Sequence, residues 1–160
     1  MQSYASRSSK VLESVHRLKP GDIDVIATIG DSLSIGAGVT SIYTFEEFNP
    51  KLIGYSLADA ISTDPATQLN VAEGGAMSKD MTFMATYLVN KIKNDPRINI
   101  NKHWKLISLM IGSNDFCINT CATSPWSMLN DHKVDLIITL GILRDNLPRN
   151  FVAFIPLPDL

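Results

Sequence analysis

The chain has 160 residues, which is the size of one ordinary domain. Hydrophobic residues make up 45% of it and charged residues 19%, a composition that favours a packed core and excludes an intrinsically disordered chain. Fourteen Lys and Arg are balanced by sixteen Asp and Glu, so the net charge of -2 provides no basic field that would gather a nucleic acid.

No apolar stretch of the sequence is long enough to cross a membrane. The longest one, Leu136 to Leu143, is far shorter than the roughly 20 residues that a bilayer-spanning helix needs. The first residues are rich in serine and lack a continuous apolar run, so we expect no secretory signal within this chain.

The first half of the chain predicts two strands and a helix. Val25 to Ile29 is a short β-branched apolar run that closes at Gly30, and Leu69 to Ala72 is a second apolar segment before a Gly-Gly pair. Apolar residues then recur at helical spacing from Ser78 to about residue 93, with the Ser78 hydroxyl expected to cap the first turn.

The second half predicts two more strands around a second helix. Lys105 to Ile111 is the third strand, Asp131 to Leu147 the helix, and Phe151 to Ile155 the fourth strand. Parallel neighbouring strands need a crossover connection, which a helix supplies, so this alternation predicts an α/β fold with a mostly parallel sheet.

Three polar or small residues follow the predicted strand ends at the same distance. Ligands bind beyond the carboxyl ends of the strands in such sheets, so these positions are candidates for a shared site. A hydroxyl, a backbone N–H that no Cβ obstructs and a carboxamide would there provide a nucleophile and donors for the oxyanion of an acyl-transfer reaction. The residues are Ser32, Gly75 and Asn114, each three positions after Ile29, Ala72 and Ile111 respectively.

Each residue alone has a more ordinary interpretation. Serine after a strand usually caps a helix, Gly-Gly usually forms a turn, and Asn-Asp usually satisfies its own backbone in a loop. Nucleotide binding is disfavoured because the segment after Gly30 lacks both the Gly-x-Gly-x-x-Gly and the Gly-Lys-Ser/Thr patterns. The Gly-x-Ser-x-Gly elbow of the α/β-hydrolases is also absent, since Ser34 occupies the last position.

The sequence resembles the GDSL or SGNH hydrolases in three blocks, Gly30 to Leu33, Asn70 to Ala76 and Gly112 to Asp115. The resemblance is stronger to the membrane-associated phospholipases B, through segments that comprise Ser14 to Leu18, Phe48 to Pro50 and His103 to Ile107. It implies a three-layer α/β/α sandwich, similar to the flavodoxin-like fold and incomplete at the C-terminus. Residues 14–160 would form the N-terminal part of the domain, after an extension of residues 1–13.

The resemblance also implies a function and a role for each site residue. Ser32 would be the nucleophile, and its N–H, the N–H of Gly75 and the Asn114 carboxamide would bind the oxyanion, with Asp31 and Asp115 in support. The substrates would be phospholipids and lysophospholipids at a membrane surface, with neither metal nor cofactor. The location implied is the extracellular face of the plasma membrane, or secretion.

Two family features are missing from these 160 residues. No Asp-x-x-His block, which provides the general base in the family, is present, and the stretch from Val39 to Phe45 lacks the family's Gly- and Trp-rich segment. We therefore expect the N-terminal part of a catalytic repeat that is inactive on its own. The alternative is a non-catalytic interaction protein derived from the esterase fold.

The remaining candidates have less specific interpretations. We expect His16, His103 and His132 to be poorly placed as a base, with His103 at the amino end of the sheet. Cys117 and Cys121 could form a local disulfide or remain buried thiols. Trp126 and the Phe45 to Phe48 stretch could contact lipid, although core or loop packing is the favoured interpretation.

Overall fold

The computed structural model describes residues 6–35, 47–58, 60–119 and 124–156. Its three strands are β1 (Ile23–Gly30), β2 (Trp104–Met110) and β3 (Asn150–Phe154). Its helices are α1 (Met81–Asn94), the seven-residue α2 (Ser113–Asn119) and α3 (Pro125–Asn146). Short 3-10 helices occur at Val15–Arg17, Pro20–Asp22, Pro65–Thr67 and Ser78–Asp80, and residues 32–35 are helical.

The sheet is parallel and its strands lie in chain order, β1-β2-β3. Gly30 is paired with Met110 at the carboxyl end of β1, and Leu109 is paired with Phe154 at the end of β3. The carboxyl ends of the three strands therefore lie at one edge of the sheet. This arrangement confirms the α/β class and the strands that were expected around residues 25–29, 105–111 and 151–155.

The strand that was expected at Leu69 to Ala72 is absent as a strand. The segment runs parallel to β1, but only Asn70 forms a bridge, opposite Thr28. The Asn70 side chain accepts a hydrogen bond from the Ala72 N–H at 3.2 Å, and such local bonds compete with a sheet ladder. The segment still follows β1, since the Glu73 N–H donates to the Gly30 carbonyl at 3.0 Å.

Helices α1 and α3 pack on one face of the sheet and enclose the larger core cluster. The smaller cluster on the other face includes Ile26, Leu52 and Trp104, with Tyr55 and Phe151 against it. In the described residues this second face is covered by loops and 3-10 turns, where a third layer of helices was expected.

Helix boundaries differ from the expectation in three places. The Ser78 hydroxyl does not cap α1, because it donates to Asp115, and the preceding turn is closed by the Asp80 carboxylate accepting from the Met77 N–H at 2.9 Å. Helix α2 was not predicted. Helix α3 begins at Pro125 instead of Asp131, since Ser124 accepts from the Ser127 N–H at 3.2 Å and caps it there.

Lys105 is fully buried at the amino end of β2. Its ammonium donates to the carbonyls of Ile100, His103 and Pro148 at 2.6, 2.8 and 2.7 Å. Burial lowers the pKa of Lys105 to about 8, a shift that attraction to Asp24 opposes. This side chain joins the two segments that enter β2 and β3 at the amino edge of the sheet.

Candidate active site

Ser32 is exposed at the start of the helical turn that follows β1. The preceding Asp31 is completely buried, and its side chain accepts a hydrogen bond from the Leu33 N–H at 3.0 Å. This is the bond of an N-cap residue, so Asp31 fixes the turn that carries Ser32. The second carboxylate oxygen of Asp31 is buried without a hydrogen-bond partner among the described residues.

Close contacts lock this turn against β2. The Ser34 hydroxyl donates to the Met110 carbonyl at 2.9 Å, and the Asp31 N–H donates to the same oxygen at 3.3 Å. Gly30 has a φ of +142°, and a Cβ added there would lie 2.0 Å from the Met110 oxygen. Glycine at position 30 is therefore required both by its conformation and by the close approach of the two strands.

Gly75 lies in the exposed turn that follows the Asn70 segment. Its φ is +80°, and a Cβ added there would meet nothing within 4 Å. The positive φ therefore favours glycine at this position, and the space beside its backbone is open. A backbone N–H in such open space can approach a bound molecule without steric obstruction.

Asn114 is half-buried in the first turn of α2, just beyond the end of β2. Its side-chain nitrogen donates to the Ala76 carbonyl at 2.8 Å. A carboxamide nitrogen carries two hydrogens, so one remains for another acceptor. The bond brings Asn114 to the residue that follows Gly75.

The three candidate residues thus follow parallel segments that meet at one edge of the sheet. Asn114 and the Gly75 turn are connected directly through Ala76, and the strand that leads to Ser32 contacts both neighbours through Gly30 and Met110. An exposed hydroxyl, an unobstructed backbone and a carboxamide at one edge can together serve acyl transfer.

Asp115, the other supporting candidate, is buried and forms a structural contact. Its carboxylate accepts from the Ser78 N–H at 3.0 Å and from the Ser78 hydroxyl. The interaction ties the start of α2 to the 3-10 turn before α1. Because Ser78 follows the Gly75 turn in the chain, this contact also helps to hold Asn114 next to that turn.

Two clefts flank the site. One of about 610 Å³ is lined by Ile35, Ile61, Ala72 and Gly74 among others, and lies next to the Ser32 and Gly75 segments. The other, of about 650 Å³, is lined by Ser78, Asp115 and His132.

His16 and His103 precede the amino ends of β1 and β2, at the edge opposite Ser32, whereas His132 lines the cleft next to Asp115. His16 is exposed in the first 3-10 helix, and His103 precedes β2 at the amino edge, as expected. His132 lies inside α3, not at its start as expected, and its ring packs against Phe116 at a centroid distance of 5.6 Å.

Sequence reasoning missed two side chains that position Ser32. One is Ser34, described above, and the other is Asn70, whose carboxamide donates to the Ile35 carbonyl at 3.3 Å. Asn70 thereby joins the turn after β1 to the neighbouring segment. Its occurrence inside an apolar run was the available signal, because a buried carboxamide needs partners.

Other expectations have mixed outcomes. Trp126 is exposed, so the favoured packing role was wrong for this residue. Phe48 is half-buried, and Phe45 lies outside the described residues, as does the stretch from Val39 to Phe45. Cys117 is exposed, so a buried thiol is wrong there. Cys121 is outside the described residues, and a disulfide between them stays a prediction.

In the described part of the chain, no cluster of three or more His, Cys, Asp or Glu could hold a metal ion. None of the helices within the same residues is long and apolar enough to span a bilayer.

Comparison with known proteins identifies the family of the chain. The chain is 32% identical to human "Phospholipase B1, membrane-associated" and 34% identical to its rat counterpart, covering 96% and 97% of this chain. It spans only 12% of the length of these relatives. No solved structure gives a significant match. The family profile described as GDSL-like Lipase/Acylhydrolase matches residues 26–159, and the chain therefore belongs to the GDSL lipase and acylhydrolase family.

Proposed function

We propose that this chain carries the nucleophile and the oxyanion-binding groups of a carboxylic ester hydrolase of the phospholipase B type. The observation that carries the proposal is the hydrogen bond from Asn114 to Ala76, which joins two of the three candidate positions at the edge where Ser32 is exposed. The names of the mammalian relatives support phospholipids as the substrate class and a membrane surface as the place where they are met. We extend the proposal to lysophospholipids and to a surface on the outside of the cell.

The reaction follows from the chemistry of these groups. The Ser32 hydroxyl attacks the ester carbonyl carbon and loses its proton to a base, and the carbonyl oxygen becomes an oxyanion. The N–H groups of Ser32 and Gly75 and the second hydrogen of the Asn114 carboxamide donate to that oxyanion. Collapse releases the alcohol and leaves an acyl-serine ester, which water then hydrolyses.

The base is the missing component within these 160 residues. None of the three histidines lies on the Ser32 turn, and His132 packs against Phe116. Without a base, only about 10³ to 10⁴ of rate enhancement over water would remain from the oxyanion donors and binding. We propose that the isolated chain acylates slowly and that a histidine from another segment completes the site.

A fluorophosphonate probe tests the nucleophile directly. We expect slow covalent labelling of the wild-type chain that Ser32→Ala abolishes, whereas Ser127→Ala, at an exposed serine of α3, leaves it unchanged. Added imidazole should accelerate labelling, because it supplies the base in solution. A folded chain that the probe does not label even with imidazole would favour the non-catalytic interaction protein.

The oxyanion donors are tested by the same assay. Asn114→Ala should slow labelling by about 10²- to 10³-fold, the usual cost of one oxyanion donor. Asn90→Ala, at an exposed asparagine of α1, is the matched control and should label at the wild-type rate. Equal labelling of both variants would remove Asn114 from the proposed site.

A further inference from the structure

Large apolar side chains are exposed around the end of the molecule that holds Ser32. Five of them are more than half exposed: Leu33 (52%), Ile61 (76%), Phe83 (73%), Ile118 (59%) and Trp126 (82%). We call these five residues the apolar rim. Exposed apolar groups collected in one region of a surface mark interaction sites, whereas single ones do not.

The topology places every member of the rim at the carboxyl edge of the sheet. Leu33 follows Ser32 directly, and Ile61 lines the cleft that Gly74 and Ile35 also line. Ile118 belongs to α2, which starts three residues after β2 ends.

The two aromatic members lie in the first turns of the two long helices. Phe83 is near the start of α1 and Trp126 is near the start of α3. Both helices lead from the carboxyl edge back to the amino end of the next parallel strand, so their first turns lie at the carboxyl edge. Side chains on a helix lean toward its N-terminus, which is at this edge, and the exposure of both rings shows that they face solvent there.

The amino edge of the sheet has the opposite character. Its loop before β2 exposes Arg97, Asn99, Asn101 and Lys102. In the described part of the chain, the segment whose Leu12 carbonyl accepts from Trp104 at 2.8 Å exposes two valines, Val11 and Val15. Aromatic exposure is thus greater at the edge that holds the proposed site.

We propose that the apolar rim is the surface through which this chain sits on a zwitterionic phospholipid surface, with the Ser32 edge toward the lipid. The inference rests on the proposed function, because it supplies the reason for a lipid partner. Tryptophan and phenylalanine are suited to the boundary between head groups and acyl chains, where apolar rings are buried and water remains near.

The charged residues beside the apolar rim indicate which lipid head group it would bind. The exposed Glu73 and Lys79 have opposite signs and lie on the two sides of the Gly75 turn. They provide no basic cluster of the kind that anionic lipids attract. Binding therefore depends on burial of apolar surface and should tolerate salt, as expected for a phosphatidylcholine surface.

Tryptophan fluorescence of the full chain tests the orientation. Trp126 is exposed on the rim, while Trp104 is buried at the amino end of β2 and serves as an internal reference. With phosphatidylcholine vesicles we expect a blue shift of the Trp126 emission and quenching by lipids brominated near the head of the acyl chain. Emission that vesicles leave unchanged would overturn the proposal.

Substitutions on the two edges sharpen the test. Trp126→Ser or Phe83→Ser should each weaken vesicle partitioning by about tenfold, since about 1.4 kcal/mol of apolar burial is a factor of ten. Partitioning of the Trp126 variant is measured by co-sedimentation with vesicles. Val11→Ser and Val15→Ser, on the opposite edge, should leave the partitioning unchanged. Equal effects on both edges, or binding that requires anionic lipid, would contradict the inference.

The result is separable from the reaction. The vesicle measurements are repeated on Ser32→Ala, which should bind as the wild type does because no ester needs to be cleaved. Vesicle binding without fluorophosphonate labelling would overturn the proposed function and leave the docking surface standing. Labelling without vesicle binding would overturn the docking surface and leave the proposed function standing. Dimerisation that Trp126→Ser abolishes would show that the apolar rim binds a second copy of the chain instead of lipid.

Discussion

Helices α1 and α3 cover the same face of one sheet, yet α1 buries most of its apolar residues and α3 buries few. Six apolar residues of α1 are buried: Met81, Met84, Ala85, Leu88, Val89 and Ile92. Over its 22 residues α3 buries Met128, Thr139 and Leu143. It exposes a run of large aliphatic residues that comprises Leu129, Val134, Ile137, Ile138 and Leu140.

Strands β1 and β3 differ in the same way. All eight residues of β1 are buried, because β1 has β2 on one side and the Ile53 and Asn70 segments on the other. Strand β3 is paired with β2 and has no second neighbour among the described residues, and it is at most half-buried. Apolar patterning therefore gives the element type in both regions, whereas burial depends on how many neighbours the element has.

Glycine-to-alanine substitution should separate the two regions most strongly. Gly30→Ala forces a Cβ to 2.0 Å from the Met110 oxygen at a φ of +142°, so we expect a loss of about 4 kcal/mol or more in unfolding free energy. Gly141→Ala, in α3, meets nothing within 4 Å and should gain about 0.5 to 1 kcal/mol from helix propensity. Urea unfolding monitored by circular dichroism measures the change in unfolding free energy for both variants. Similar changes would contradict the difference between the two regions.

Leucine truncation makes the same comparison without backbone strain. Leu88→Ala removes a fully buried side chain of α1 and should cost about 3 kcal/mol through lost burial and a cavity. Leu129→Ala in α3, where the side chain is 48% exposed, should change the unfolding free energy by about 0.5 kcal/mol or less. A large loss at Leu129 would show that the exposed face of α3 is covered in solution.

Lys105 tests how the β3 region is held to the rest. Lys105→Met leaves three carbonyls without their donor, so we expect a loss of about 2 kcal/mol at pH 7. The pKa of Lys105 is about 8 when folded and 10.5 when unfolded, so the unfolded chain holds the proton more tightly between these values. The unfolding free energy of the wild type should therefore rise from pH 8 to about 10.5 relative to the variant.

The measurement is urea unfolding of both proteins at several pH values across that window. All other titrating groups are common to the two chains, so the difference isolates Lys105. A difference that stays constant with pH would mean that its ammonium is not destabilised by burial.

The sequence predicted some strands and helices correctly and missed others, for physical reasons. Continuous apolar runs predicted β1, β2 and β3, because covered parallel strands have that composition. The Asn70 segment failed as a strand because its carboxamide bonds locally, and α2 was missed because it is short and lacks helical periodicity. The spacing of Ser32, Gly75 and Asn114 predicted that the three residues lie at one edge of the sheet. The hydrogen bonds that Ser34, Asn70 and Asn114 donate could not be predicted, because folding alone brings their acceptors close.

A charge on the exposed face of α3 should have the smallest effect on folding. It should nevertheless change the association between chains. Ile137→Lys should leave the unfolding free energy within about 0.5 kcal/mol, because the side chain is 59% exposed. It should reduce concentration-dependent association in analytical ultracentrifugation, since a charge opposes pairing of apolar surfaces beside the free side of β3. Asn90→Lys places the same charge on the exposed side of α1 and should not alter association. If both lysines reduce association equally, net charge is the cause, and the uncovered face of α3 is not the surface through which the chains meet.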